Sequence, residues 1–350
     1  MKIVVLAGGL SSERNVSLSS GTMVTEALRS RGHAVALVDL YMGLENYGDA
    51  PEALFDAPIP EEWKKVAPGA PDLEQIKAVR KWKSESLFGT GVLELCRMAD
   101  IVFLALHGSC GEDGRVQAAL DVLGIPFTGA DYLSSAIAMD KDLTKRLVAP
   151  AGIMTPKWEK ISYQAEEIPA VVARTQLPVV VKPLAGGSSI GVSIARSPEE
   201  LTKALEECLS FGSPVVLEQY ITGREIQMGY LVDRALPSIE IIPSDGFYDY
   251  ANKYQPGVAK EITPAPISPA LEARLARDTR TIFETLGLSV YSRADFIVDQ
   301  EETPWFLEIN TLPGMTPTSL VPQEAAVAGI SYEELCEIIV NASLEARKQG

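Results

Sequence analysis

The segment VVVKPLAGGSSIGVSIA, residues 179–195, constrains this chain more than any other. An apolar strand pattern carries Lys182, breaks into a loop holding Gly186, Gly187 and Gly191, and resumes as alternating strand. Glycines at such a loop let backbone N–H groups approach a phosphate closely. The lysine, however, precedes the glycines, and neither G-x-x-x-x-G-K-[ST] nor G-x-G-x-x-G occurs anywhere in the chain. LPVVVKP and GVSIA therefore read as the two arms of a hairpin around a flap, not as a phosphate loop at a helix N-terminus.

The rest of the chain supplies two kinds of unit. KIVVLA at residues 2–7 reads as a buried strand, VSLSSGTMVTEALRSRG as a helix ending at Gly32, and HAVALVDL as a second strand. This β-α-β start implies a parallel sheet. ADIVFLALHG continues it as a strand, VQAALDVLG as a helix, and IPFTG as another short strand. SAIAMDKDLTKRLVAPAG reads as one helix, broken before Pro156. Residues 42–90, with PIPEEWKKVAPGAPD at their centre, read as an excursion on the first domain.

The second half carries strands SPVVLEQYITG, EIQMGYLVD, YSRADFIVD and PWFLEIN, the last two joined by the turn QEET. Its helices include SPEELTKALEECLSFG, capped by Ser197, and a closing helix SYEELCEIIVNASLEARKQ, capped by Ser331. The expected fold is an α/β N-terminal domain with a parallel sheet, followed by α+β units. A length of 350 residues suits two or three domains.

Composition narrows the partners. A formal net charge of −16 argues against bulk attraction to nucleic acid or anionic membrane. No stretch reaches the ~20 apolar residues of a membrane span, and MKIVVLAGGL is too short and glycine-terminated for a signal peptide. Cys96, Cys110, Cys208 and Cys336 form no C-x-x-C pair, which argues against a disulfide framework or zinc knuckle. His33 and His107 are the chain's two histidines, which excludes a multi-histidine metal site. A cytoplasmic location follows as the expectation.

YSRADFIVD alternates strictly, so Arg293 and Asp295 share one face, while WFLEIN puts Glu308 and Asn310 on one face. If the two strands pair, four polar side chains converge. Charges inside apolar strands are costly unless paired or bound to metal. Asp295, Glu308 and Asn310 offer all-oxygen ligation, which suits Mg²⁺ shared with phosphate oxygens. A buried Arg–Asp pair, with the rest at a solvent edge, explains the strands alone equally well; the glycine loop upstream tips the balance to metal.

A strand lysine, a glycine-rich flap, then Asp and Glu-x-Asn on antiparallel strands: this order resembles the ATP-grasp fold, in which two α+β subdomains close on ATP. ERNVSL, HGSCGEDG, MDK, KPLAGGSSIGV, FYDYANKY, SRADF and LEINTLPGMTPTSLVP further resemble, in the same order, motifs of the D-alanine:D-alanine ligase family. The resemblance covers nearly the whole chain apart from residues 42–90. It implies an N-terminal substrate domain at 1–137, a central ATP-grasp subdomain with the lid at 138–225, and a C-terminal ATP-grasp subdomain at 226–350.

Carried over by position, the resemblance implies that Lys141 and Lys182 contact ATP phosphates, with Ser188, Ser189 and Lys253 beside them. Glu218, Gln219 and Ile221 would hold the adenine, and Glu225 the ribose. Asp295, Glu308 and Asn310 would bind two Mg²⁺, with Mn²⁺ as an alternative and a monovalent cation as a further expectation. Arg293 and the Gly314 N–H would form an oxyanion site. Glu13 would anchor the amino group of the first D-alanine, with Val16, Ser17, His107 and Glu112 around it, and Ser319 the carboxylate of the second. Glu13, Ser188 and Tyr254 would form a triad pinning the lid. The implied reaction is ATP-dependent ligation of two D-alanines through an acyl phosphate, for peptidoglycan synthesis, by a homodimer. Two departures stand out: the lid reads LAGG where the family usually carries a polar or charged residue, and the 42–90 excursion is longer than in compact members.

Plainer readings compete at single residues. Glu13 suits a first-turn helix acid, Glu112 a solvated loop acid, and Tyr254 a packing aromatic beside Tyr248 and Tyr250. His107 and Cys110 invite a Cys–His nucleophile, but the chain supplies no orienting partner. Rival functions are a relative using D-serine, D-lactate or another small amino acid, a non-catalytic nucleotide-binding protein, and an NAD-dependent dehydrogenase. The last fails because GGLSS lacks the dinucleotide fingerprint.

Overall fold

The computed structural model describes residues 1–44, 51–64, 71–187, 191–212, 214–243 and 259–348. β1 (Lys2–Ala7) leads into α1 (Arg14–Ser30) and β2 (Ala34–Asp39). Between β2 and the next strand lie α2 (Leu73–Val79) and α3 (Val92–Arg97). β3 (Ile101–Leu104) completes a parallel sheet in the order β2-β1-β3. Gly8 and Gly9 hold φ of 70° and 79° where β1 ends, and a β-carbon on Gly8 would lie 2.8 Å from the Asp39 carboxylate. That close turn sets Glu13 and the start of α1 beyond the carboxyl end of the parallel strands, where such sheets bind ligands.

The expected excursion between β2 and β3 is anchored. Leu54 and Phe55 enter the N-terminal core. The buried Arg80 guanidinium donates to the carbonyls of Ser84, Ser86 and Phe88 at 3.2, 2.8 and 3.0 Å. It also lies 4.1 Å from the centre of the Tyr41 ring.

Two elements differ from the sequence expectation. IPFTG reduces to a single bridge between Val102 and Phe127, since Pro126 has no N–H to extend a ladder. Downstream of α4 (Arg115–Val122), the expected single helix is two, α5 (Tyr132–Met139) and α6 (Lys141–Val148). Asp140 is extended between them, and its carboxylate accepts from Leu143 N at 2.9 Å. A short acidic side chain competes for helical N–H groups and so starts a new helix. Lys141 thereby becomes the first residue of α6.

The middle of the chain forms β4 (Trp158–Ile161), α7 (Ile168–Arg174), β5 (Val179–Pro183), β6 (Ser193–Ala195), α8 (Pro198–Leu209) and β7 (Val215–Gln219). Its antiparallel sheet runs β4-β7-β5-β6, and β5 and β6 are the expected hairpin around the glycine loop. Ser197 caps α8 as expected, accepting from Glu200 N at 3.2 Å.

β8 (Arg224–Leu231), β9 (Arg234–Ala235), β10 (Ile239–Pro243), β11 (Ala259–Ile262), α9 (Pro269–Thr285), β12 (Tyr291–Val298) and β13 (Pro304–Asn310) follow. They form a sheet in the order β11-β10-β8-β12-β13, with β9 beside β8. Two helices, α10 (Leu320–Val327) and α11 (Tyr332–Lys348), end the chain.

The cores do not follow chain order. Ala138 of α5, Val148 of α6 and Ile153 pack with α9 against β8 and β12. Leu335, Cys336, Ile339 and Val340 of α11 cross back into the N-terminal core beside Val4 and Val102. Ser331 caps α11 reciprocally with Glu334, accepting from Glu334 N at 3.2 Å while Ser331 N donates to the Glu334 carboxylate at 2.9 Å.

Candidate active site

Between the four-stranded and the larger sheet lies a cleft of about 390 Å³. Its walls are apolar, from Val180 and Ile194 on one sheet and Ile241, Ile297 and Leu307 on the other or beside it. Gln219, Tyr220 and Ile221, where β7 turns toward β8, close one end. A planar aromatic group fits such a slot, with backbone polar groups of the linking segment at its edge. Lys141, Lys182, Asp295 and Glu308 gather at the polar part, and Glu225 lies on the same lining.

The lysines are held rather than loose. Lys182 Nζ donates to Glu218 Oε1 at 2.7 Å. Lys141 Nζ donates to Gly186 O at 2.8 Å and stands 3.3 Å from Glu308 Oε2. Burial alone would raise the Glu218 carboxyl, but the fields of Lys145 and Lys182 outweigh it and hold the group below its usual value. Glu218 is therefore an anion committed to ammonium groups, and a nucleobase would meet its neighbours' backbone more readily than its carboxylate.

β12 and β13 pair with Arg293 opposite Asn310 and Asp295 opposite Glu308, followed by a bulge at Asp295/Phe296. All four side chains converge as the alternation predicts. Arg293 Nε and Nη2 donate to the two Asp295 oxygens at 2.8 and 3.0 Å, and Asn310 Nδ2 donates to Asp295 Oδ2 at 3.2 Å. Among the described residues no three His, Cys, Asp or Glu side chains cluster at ligating spacing. Two carboxylates and an amide fit a hard cation only if bound phosphate supplies further oxygens.

A second, small cavity adjoins this one, lined by Glu112, Met139, Lys141, Gly187, Glu308 and Asn310 among others. It links the cleft to the first domain. Glu112 accepts from Gly108 N at 2.9 Å and from Leu312 N at 3.4 Å. Burial, with the Glu13 charge nearby, pushes its carboxyl up to about 8. Glu13 is buried, and its Oε2 stands 3.2 Å from where a β-carbon on Gly187 would lie, so the start of the lid rests on it. His107 Nδ1–H donates to Leu312 O at 3.0 Å, which leaves Nε2 to accept from Ser20 Oγ at 3.2 Å. Burial lowers the His107 pKa and favours this neutral form.

Val16 and Ser17 are buried on α1, but the Ser17 hydroxyl is used within the sheet, donating to Ala105 O at 2.6 Å and accepting from Gly8 N at 2.8 Å. Ser319 Oγ accepts from Thr316 N at 3.1 Å and would lie 2.8 Å from a β-carbon on Gly314, so this loop folds tightly on itself. Ser188, Ser189, Lys253 and Tyr254, with Tyr248 and Tyr250, lie outside the described residues. Cys110 is buried and its thiol is pushed up to about 11 by burial. His107 is engaged by Ser20 and Leu312, and a Cys–His nucleophile has no support in this arrangement.

Sequence reasoning missed Lys145, whose ammonium lies 2.7 Å from Glu218 Oε2. Its partner lies on a strand more than seventy residues away, so no local pattern marks it. It also missed the buried pair of Arg14 and Asp39 behind Glu13. The Asp39 carboxylate accepts from Tyr41 N and Met42 N at 2.9 and 3.1 Å; nothing in a lone strand-end Asp announces that.

Two family models match the chain. The D-ala D-ala ligase N-terminus model matches residues 2–130 and the D-ala D-ala ligase C-terminus model residues 147–341. A D-alanine--D-alanine ligase from Pediococcus pentosaceus is 42% identical over 342 residues, 97% of each chain. The structure of D-alanine--D-alanine ligase from Bacillus anthracis complexed with ATP superposes with a TM-score of 0.73 at 29% identity, covering 100% of this chain and 99% of that one. The VanG D-Ala:D-Ser ligase of Enterococcus faecalis gives 0.73 at 29% identity, covering 98% and 99%. With both models matched in order across most of the chain and full-length relatives at up to 42% identity, this protein belongs to the D-alanine–D-alanine ligase family.

Proposed function

We propose that the protein joins two D-alanines to D-alanyl-D-alanine, with ATP converted to ADP and phosphate, as a step in peptidoglycan precursor synthesis. The convergence of Lys141, Lys182, Asp295 and Glu308 on a cleft continuous with Glu13 and Glu112 carries this reading. Full-length relatives near 40% identity bear the D-alanine--D-alanine ligase name, which supports D-alanine as second substrate.

In this reading Lys141 and Lys182 meet the phosphates, Gln219 and Ile221 lie along the base, and Glu225 takes the ribose. The first D-alanine lies near Glu13 with its carboxylate toward the γ-phosphate, and attack yields an acyl phosphate. Asp295, Glu308 and Asn310 would hold Mg²⁺, which when bound offsets charge on phosphate oxygens. Arg293 would turn from Asp295 toward the oxyanion formed when the second amine attacks, with Gly314 N–H beside it. Ser319 would hold that substrate's carboxylate. Neutral His107 shapes the first pocket without adding charge. The lid from Gly186 onward excludes water from the acyl phosphate. The reading includes a homodimer, for which half-exposed Leu133, Leu143 and Leu147 on adjoining helices offer apolar surface.

The test is ADP release with ATP and Mg²⁺, offering D-alanine, L-alanine, D-serine or D-alanine with D-lactate, with products weighed by mass spectrometry. D-alanine-dependent release with D-alanyl-D-alanine as the main product is expected. Turnover that requires D-serine or D-lactate would replace the substrate assignment.

A further inference from the structure

Behind the nucleotide cleft lies an ammonium group that contacts neither substrate nor nucleotide in the proposed reaction. Lys145 is fully buried. Its Nζ donates to Thr155 Oγ1 at 2.5 Å and to Phe306 O at 3.3 Å. It stands 2.7 Å from Glu218 Oε2, a charge contact without hydrogen-bond alignment. The other Glu218 oxygen accepts from Lys182 Nζ at 2.7 Å. One carboxylate is thus shared by a lysine that lines the cleft and a lysine that does not.

Burying an ammonium costs free energy that a pair recovers only in part, and an apolar side chain would fill the position with less penalty. Packing alone does not account for Lys145. Its contacts also span the two sheets: Phe306 belongs to β13 of the larger, and Glu218 to β7 of the smaller, where its other oxygen is held by Lys182 of β5. Thr155 Oγ1 donates to the same Phe306 carbonyl at 2.9 Å, which closes the cluster on the larger sheet.

We propose that Lys145 is a positioning residue for nucleotide binding: it clamps Glu218 from behind, and Glu218 in turn holds the Lys182 ammonium in the attitude that receives a phosphate. This rests on the reading of Lys182 as a phosphate contact. Without Lys145, Glu218 would keep one partner and gain freedom to rotate, and Lys182 would follow it. Burial, and the like charge of Lys182, oppose the fields of Glu218 and Glu308 and bring Lys145 down to about 8.

The experiment measures the Kd for ATP by calorimetry without D-alanine, then the steady-state constants, for K145M, K182M and the double variant, each with a thermal melt. K145M should weaken ATP binding by about tenfold and leave the KM for D-alanine within about twofold of wild type. In the K182M background it should add nothing, because it acts through Lys182. T155V, which removes only a neutral partner, should give a smaller rise of about threefold in a chain that keeps its fold. Unchanged ATP affinity in both K145M and T155V overturns the proposal. So does a further loss on top of K182M, or a parallel rise in the D-alanine KM that tracks lost thermal stability. K182M with wild-type ATP affinity sinks the phosphate reading of Lys182 itself, and the positioning role falls with it.

Discussion

Glu112 shows how burial decides what a residue type means. On the sequence it passes for a solvated loop acid; in the fold it is buried against two N–H donors and the Glu13 charge, with its carboxyl pushed up to about 8. A folded-state value raised above the unfolded one means that stability is fully present below about 4.5 and is lost as pH rises through about 8. Urea unfolding at a series of pH values should therefore show the wild type losing on the order of a few kcal/mol relative to E112Q across that window. Parallel curves for the two proteins would mean that Glu112 is ionised throughout. His107 carries the opposite sign: burial lowers it, so its contribution is present above the unfolded value and lost on acidification. At this scale the charged residues of β12 and β13 were legible because strand alternation needs no tertiary information. Lys145 was not, because nothing local marks a lysine as buried.

At the scale of elements, the break at Asp140 matters most for the site. A continuous helix would put Lys141 mid-turn; the restart makes it the first residue of α6, with Nζ between Gly186 O and Glu308. D140A should cost about 1 kcal/mol in chemical denaturation, as lost caps do, and should weaken ATP binding through Lys141. Unchanged stability and unchanged ATP affinity together would show that the helix start is held by packing instead. The apolar period runs through this boundary, since α5 and α6 turn apolar faces to the same core, so pattern reading merges them. The hairpin of β5 and β6 and the pairing of β12 with β13 were readable because connection length and alternation both point to antiparallel neighbours.

The whole molecule is organised by the return of α11. Leu335, Cys336, Ile339 and Val340 are fully buried in the N-terminal core, although more than 200 residues of chain separate them from β3. At roughly 1.5–3 kcal/mol for each large apolar side chain, their loss rivals the 5–15 kcal/mol net stability of an ordinary domain. A chain ending at residue 330 should lack a cooperative thermal transition, and a fragment of residues 1–137 should stay unfolded unless the α11 segment is supplied. A folded, soluble fragment with a sharp transition would show that the N-terminal unit closes its core without that helix.

By itself the sequence determined most of the strand and helix types, the hairpin around the glycine loop, the polar faces of β12 and β13 and the membership of the family, because these rest on period, local turn chemistry and ordered motifs. Only the tertiary structure decided which charges are buried together: Lys145 with Glu218 and Lys182, Glu112 beside Glu13, Arg14 with Asp39. The physical reason is that desolvation and pairing depend on what lies across the cleft and between the sheets, and those neighbours come from parts of the chain far apart in order.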